Sequence, residues 1–301
     1  YFYNRLTCVY NFTFTIIYAI IIRGLISRPA RLSPSFFIVY RTGDFMNQTF
    51  TLQARLLQFL KIFFPVCIAQ LAVLATAFVD TVMAGHAGTA DLAGVAIAIN
   101  LWLPFHSGMI GVFAGIAPIL SQLHGANKKD LIPNTVVQGL YLSIVFGFGV
   151  ILIGVIAIQP VLDYMQPEAD VRHIAYHFLQ ALACGIIPLF IFGTLRNFVD
   201  SLGHTTVTMF VTLLALPLNI LINYLLVFGN WGFPRMGGIG TGYASAITYW
   251  FMAILLIIII KYRKPFADYN IFGHRRPVCL THWREQLRLG IPIGISIACE
   301  V

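Results

Sequence analysis

Charge is what this sequence has least of. Lys and Arg number 19 and Asp and Glu 11 in 301 residues, so 10% of the chain is charged, where a soluble domain carries about 25%. With 58% of its residues hydrophobic, the chain cannot cover itself with polar surface. A soluble globular domain is excluded, and an integral membrane protein is implied. The five cysteines (Cys8, Cys67, Cys184, Cys279, Cys299) are odd in number and scattered. Without a CxxC pair or a Cys/His cluster, neither a disulfide framework nor a zinc site is expected. Period-2 alternation is also missing, which argues against a transmembrane barrel and for helices.

What the sequence does have is long apolar runs. A spanning helix needs about 20 apolar residues. Six full candidates lie roughly at 60–84, 93–121, 134–159, 172–198, 205–229 and 239–261, and a seventh starts near Leu289. The breaks between them carry turn chemistry: GHAGTAD, HGANKKD, MQPEAD, SLGHTT and GNWGFPRMGG.

The formal net charge of +8 invites a nucleic-acid reading, but the placement of the basic residues speaks for topology. Lys128 and Lys129 sit in loop 122–133. Arg263, Lys264, Arg275, Arg276, Arg284 and Arg288 sit in 262–288. The loops on the other side hold one basic residue or none. The alternation puts the start of helix one and the 262–288 loop in the cytoplasm, with the chain in the cytoplasmic membrane. Nucleic acid is not an expected partner; the lipid bilayer is.

Residues 1–45 do not fit this plan. The apolar stretch FTFTIIYAIII is short, and no signal-peptide cleavage pattern is clear. Met46 reads like a natural start, so 1–45 is expected to be an upstream extension without function; the alternative is an extra helix. The expected organisation is therefore a 1–45 extension, a six-helix lobe at 46–261, a cytoplasmic loop at 262–288 and the start of helix seven at 289–301.

An acid at mid-membrane costs about 2.5–3.5 kcal/mol. Of the acids, Asp80, Asp200 and Glu300 fall within or at the edge of apolar segments. Asp80 has two readings: an interfacial group near the helix end, or a titratable site inside a bundle. A partner set appears in LALPLNILINYLLVFG, where Asn219 and Asn223 are four apart and share a helix face. Those amides either glue helices together or face Asp80. Ser245 adds a hydroxyl from the last span. Pro217 and Pro65 each loosen the local backbone. Oxygen ligands of this kind suit a hard cation or a proton relay.

FVDTVMAG (78–85), PLNILINYLLVFG (217–229), GGIGTGYASAITYW (237–250) and RLGIPIGISIACEV (288–301) keep their order and spacing. Together they resemble the multidrug and toxic compound extrusion (MATE) transporters, nearest the NorM-like branch, from about Met46 to Val301. The resemblance implies an all-α integral membrane fold of twelve helices in two six-helix lobes. This chain would supply the first lobe and the start of helix seven. The resemblance also implies that Asp80 couples transport to protons or sodium, with Asn219, Asn223 and Ser245 around it. A sodium ion would be held by Asp80, Asn219 and Asn223. Glu300 would belong to a second-lobe cation site, and Pro65 would mark a bend in helix one. Where some members have an acid at the second amide position, this chain has Asn223. Asp200 and Arg196 resemble a further signature, beside the simpler reading of a local ion pair.

The activity so implied is antiport of amphipathic organic cations, by a monomer when full length, with no cofactor beyond the coupling ion. Phe78, Trp102, Phe105, Phe113 and Tyr141 either pad a cavity for flat cations or pack ordinarily. His86, His106 and His124 have no ligand spacing. A membrane enzyme would need a constellation such as DxxxD or HxxxH facing the cytoplasm, and none is expected there. A lipid-linked sugar flippase would carry Arg within its cavity, whereas Arg and Lys here sit almost entirely in loops and helix ends.

Overall fold

The computed structural model describes residues 52–273 and 277–299. The 1–45 extension and Glu300 lie outside the described residues. Nine α-helices are described. They are α1 (Leu52–Ala87), α2 (Thr89–Ala114), α3 (Ile116–Gly125), α4 (Ile132–Met165), α5 (Ala169–Ala183), α6 (Ile186–Ser201), α7 (Thr205–Phe228), α8 (Gly238–Tyr262) and α9 (Leu280–Cys299). Short 3-10 turns occupy Asn230–Gly232 and Phe266–Tyr269.

Five helices are long and apolar enough to cross a membrane, counting α2 and α3 together, and the pair α5–α6, bent by 49°, makes a sixth. The chain is a multi-pass membrane protein of all-helical fold. α1 runs through Pro65 as one helix, although proline removes a backbone hydrogen bond there. The spans pack α1 on α7, α7 on α8, α2 on α5, and α8 on α5 and α6. α9 begins at Leu280, inside the stretch expected to be loop. Its first turns, LTHWREQLR, are too polar to register as an apolar run, and only from Leu289 does it look like a span.

Two spans are broken, and neighbouring side chains stitch both breaks. Between α5 and α6, Trp250 Nε1 on α8 donates to the Cys184 carbonyl at 3.1 Å. That carbonyl is the one deprived of its helical donor by Pro188, four residues on. At Gly115, between α2 and α3, Asn197 Nδ2 donates to the Phe113 carbonyl at 3.1 Å. Irregular backbone at membrane depth is tolerated only when such partners exist.

α9 crosses α2 backbone to backbone. A Cβ added to Gly111 would sit 2.6 Å from the Gly294 Cα, and one added to Gly115 would sit 2.6 Å from the Gly290 Cα. Small residues allow this approach between membrane helices. The segment leading into α9 is docked as well. Gln138 on α4 donates to the Pro277 carbonyl at 2.7 Å and accepts from the Cys279 N–H at 3.0 Å. Gln286 Nε2 donates to the Thr135 carbonyl at 3.0 Å. Phe266 and Ile271 are buried in the same hydrophobic cluster as Phe198, Ile132 and Leu120.

Candidate functional site

The site is built by three helices. On α1 the inward stripe is Ala69, Ala72, Asp80, Met83 and Ala84, with every alkyl member buried. This 3–4 residue spacing places Asp80 on the packed face. The helix continues past it to Ala87, and its carboxylate reaches across to α7 and α8, so it is not a helix-end cap. On α7, Asn219 and Asn223 are one turn apart and fully buried. On α8, Ser245 is buried and Tyr249, one turn on, lies within electrostatic range of Asp80.

Asn223 Nδ2 donates to Asp80 Oδ1 at 2.6 Å and also to Asn219 Oδ1 at 2.9 Å. Ser245 Oγ donates to Asp80 Oδ2 at 3.1 Å. The structure therefore brings together all four residues picked out from the sequence. Every hydrogen-bond donor to Asp80 among the described residues is neutral. Two polar atoms remain buried without a partner: Asn219 Nδ2 and Asn223 Oδ1. An unsatisfied buried donor or acceptor costs about 1–3 kcal/mol, so the site has hydrogen-bonding or coordinating capacity that the protein itself does not fill. The donor set is a carboxylate, two amide oxygens and a hydroxyl. These are hard oxygen ligands, suited to a small hard cation and poorly suited to a soft metal.

Asp200 lies elsewhere, at the end of α6. Arg196 Nε pairs with its Oδ2 at 3.4 Å, and Thr208 Oγ1 donates to its Oδ1 at 2.7 Å. The carboxylate ties the end of α6 to the start of α7, with Gly203 making the turn at φ +79°. Asp200 and Arg196 are not part of the Asp80 cluster.

The aromatics divide. Phe113 is a core residue packed on Phe146 and Phe190. Phe78 is 69% exposed on the outside of the helix bundle. Trp102 and Phe105 line an almost wholly apolar cavity of about 330 Å³ between α2, α4 and α5, with Met109, Ile151, Ile158 and Tyr176. None of Asp80, Asn219, Asn223 and Ser245 lines it.

Two features went unread in the sequence. Asp91, in the first turn of α2, accepts from the Gly238 N–H at 2.6 Å. It puts a negative charge at the N-terminus of α8, where the helix dipole favours one. An acid opening an apolar run was the available signal. His173 and His177 form an HxxxH pair at the start of α5, at the end of the bundle opposite the 262–279 segment.

A family model described as MatE matches residues 65–225. The chain belongs to the MatE family. It is 50% identical over 255 residues to a probable multidrug resistance protein NorM of Halalkalibacterium halodurans, covering 85% of this chain and 56% of that protein. It is 45% identical over 255 residues, with the same coverage, to a protein of the same description from Bacillus anthracis. This MatE chain thus spans little more than half the length of these curated relatives. Among solved structures, it resembles a crystal structure of MATE in complex with MaD3S, with TM-score 0.69 and 18% identity. That match covers 77% of this chain and 51% of the other. The likeness shows the fold, and the residues matched by the family model include Asp80, Asn219 and Asn223.

Proposed function

We propose that this MatE chain carries the ion-coupling half of a multidrug efflux antiporter. The observation behind the reading is the Asp80 cluster: one carboxylate held across three spans by neutral donors, beside an unpartnered amide nitrogen and an unpartnered amide oxygen. A permanent counter-charge would lock the carboxylate in its ionised form. Neutral amides and a hydroxyl leave it free to exchange a proton, or to share a sodium ion with Asn219 and Asn223. In its ionised state the group attracts a lipophilic cation; protonation or sodium binding cancels that attraction and releases it. The exported substrates on this reading are amphipathic organic cations. Exchange of one proton for one monovalent drug moves no net charge and draws only on the pH gradient, whereas each net charge moved through 100 mV contributes about 2.3 kcal/mol.

The reading places the protein in the cytoplasmic membrane with the start of α1 and the 262–279 segment on the cytoplasmic side, working as a monomer when full length. The test is Asp80→Asn in the full-length protein, which keeps the shape and removes the titrating group. Ethidium efflux and protein abundance are measured together, with a sodium gradient and with a pH gradient. Normal abundance with lost efflux is expected. Normal abundance with normal efflux would refute the coupling role.

A further inference from the structure

His173 and His177 stand one turn apart in the second and third turns of α5, with ring centroids 4.2 Å apart and ring planes at 28°. Tyr176 packs edge-on against His177. His173 is exposed, while His177 is half-buried. The His177 Nδ1 is shut away from solvent and has no hydrogen-bond partner. The neighbouring charge of Arg172 is balanced by an ion pair with Asp163. Neither histidine belongs to the Asp80 cluster.

Residues four apart share a helix face, and two histidines in this spacing on a helix can hold one metal ion between them. Imidazole suits zinc, copper and nickel. With metal–nitrogen bonds of about 2.0–2.1 Å, two nitrogens on one ion lie about 3–4 Å apart. Rings already 4.2 Å apart reach that spacing by side-chain rotation alone, because the helix fixes both Cβ atoms.

We propose that His173 and His177 form a two-imidazole site for a divalent transition-metal ion, with Cu²⁺ held most tightly in the usual order of affinities. No group of three or more His, Cys, Asp and Glu suited to a metal ion exists among the described residues. Water or an external chelator therefore supplies the remaining ligands, and the ion exchanges readily. An ion held there staples the second turn of α5 to the third, at the end of the bundle away from the 262–279 segment.

The test uses the tag-free chain in lipid nanodiscs, titrated with Cu²⁺–iminodiacetate and followed by electron paramagnetic resonance. The wild-type protein is expected to give a copper spectrum with two imidazole nitrogens. His173→Ala changes an exposed side chain, so folding should be retained, as checked by circular dichroism and gel filtration. It should lower copper affinity at least about tenfold, because the second imidazole is no longer presented by the same helix, and leave a one-imidazole spectrum. His177→Ala should do the same. An unchanged spectrum and affinity in folded His173→Ala would overturn the assignment. So would no copper binding by the wild type, or loss of the two-imidazole signal on His124→Ala or His204→Ala instead.

Discussion

Replacing Gly111 by Ala tests the α2–α9 crossing directly. The added methyl carbon would lie 2.6 Å from the Gly294 Cα, 2.9 Å from its nitrogen and 3.0 Å from the Ile293 carbonyl oxygen. Carbon atoms pack at about 3.5–4.0 Å, so the helices must separate by about 1 Å. Backbone is the obstacle on every side, and no flexible side chain can swing away. Overpacking of this kind costs about 1–3 kcal/mol. The matched control is Gly193→Ala in α6, where an added Cβ meets nothing within 4 Å. Both variants gain the same helix propensity, about 1 kcal/mol over Gly, so their difference isolates the collision. In mixed dodecyl sulfate micelles, Gly111→Ala should have an unfolding constant about 5- to 150-fold larger than Gly193→Ala. Equal stability of the two variants would show that α9 does not contact α2 backbone to backbone.

Other perturbations probe the remaining contacts. Trp250→Phe keeps the ring but removes the donor to the Cys184 carbonyl, and should cost about 1–3 kcal/mol in the same unfolding assay; no loss would mean that the break between α5 and α6 is not held by this bond. Gln138→Leu removes both bonds to 277–279, so the Cys279 amide hydrogen, which Gln138 accepts, should exchange with solvent about 5- to 150-fold faster; an unchanged rate would refute the docking. Burial, with Arg263 and His124 nearby, holds His204 below the ordinary histidine pKa, so the folded state favours the neutral ring. The resulting stability is present above about pH 6.5 and is lost as pH falls below it, because the unfolded chain takes the proton first. His204→Gln should therefore flatten the fall in thermal stability below that pH; an identical acid profile would refute it. Finally, a cysteine at position 270 should resist an impermeant reagent added outside intact cells, and labelling there would reverse the proposed orientation.

Much of the fold was legible because lipid imposes a strict rule: apolar runs of sufficient length are helices. The partners of Asp80 were legible because Asn219 and Asn223 repeat at one helical turn in an otherwise apolar segment. The breaks were not read, although both carry one local pattern, Gly115-Ile-Ala-Pro118 and Gly185-Ile-Ile-Pro188. In each, a helix restarts one residue after Gly, with proline as its third residue, where the missing N–H breaks no bond within the restarted helix. Hydropathy averages across such a break. The true start of α9 was hidden by the polar residues of its first turns. The grip of Gln138 on residues 277–279 joins positions far apart in sequence, so nothing local announces it. His173 and His177 were visible as HxxxH, and they went unread because the charge alternation puts the start of the 172–198 run away from the cytoplasmic face where such a pair was sought.

The docking of the segment before α9 has a mechanical consequence. The long connection between Tyr262 and Leu280 suggests slack rope. Yet Phe266 and Ile271 are sunk in the core, Gln138 grips residues 277–279, and Gln286 pins the first turns of α9. Movement of the far end of α9 against α4 cannot be taken up by that connection while these contacts hold. Nor is the helix free a little further on, because Gly290 and Gly294 lie backbone to backbone against Gly115 and Gly111 of α2. The part behaves as a beam fixed at two points, on α4 at its root and on α2 a turn or two later, rather than as a rigid rod on a loose string.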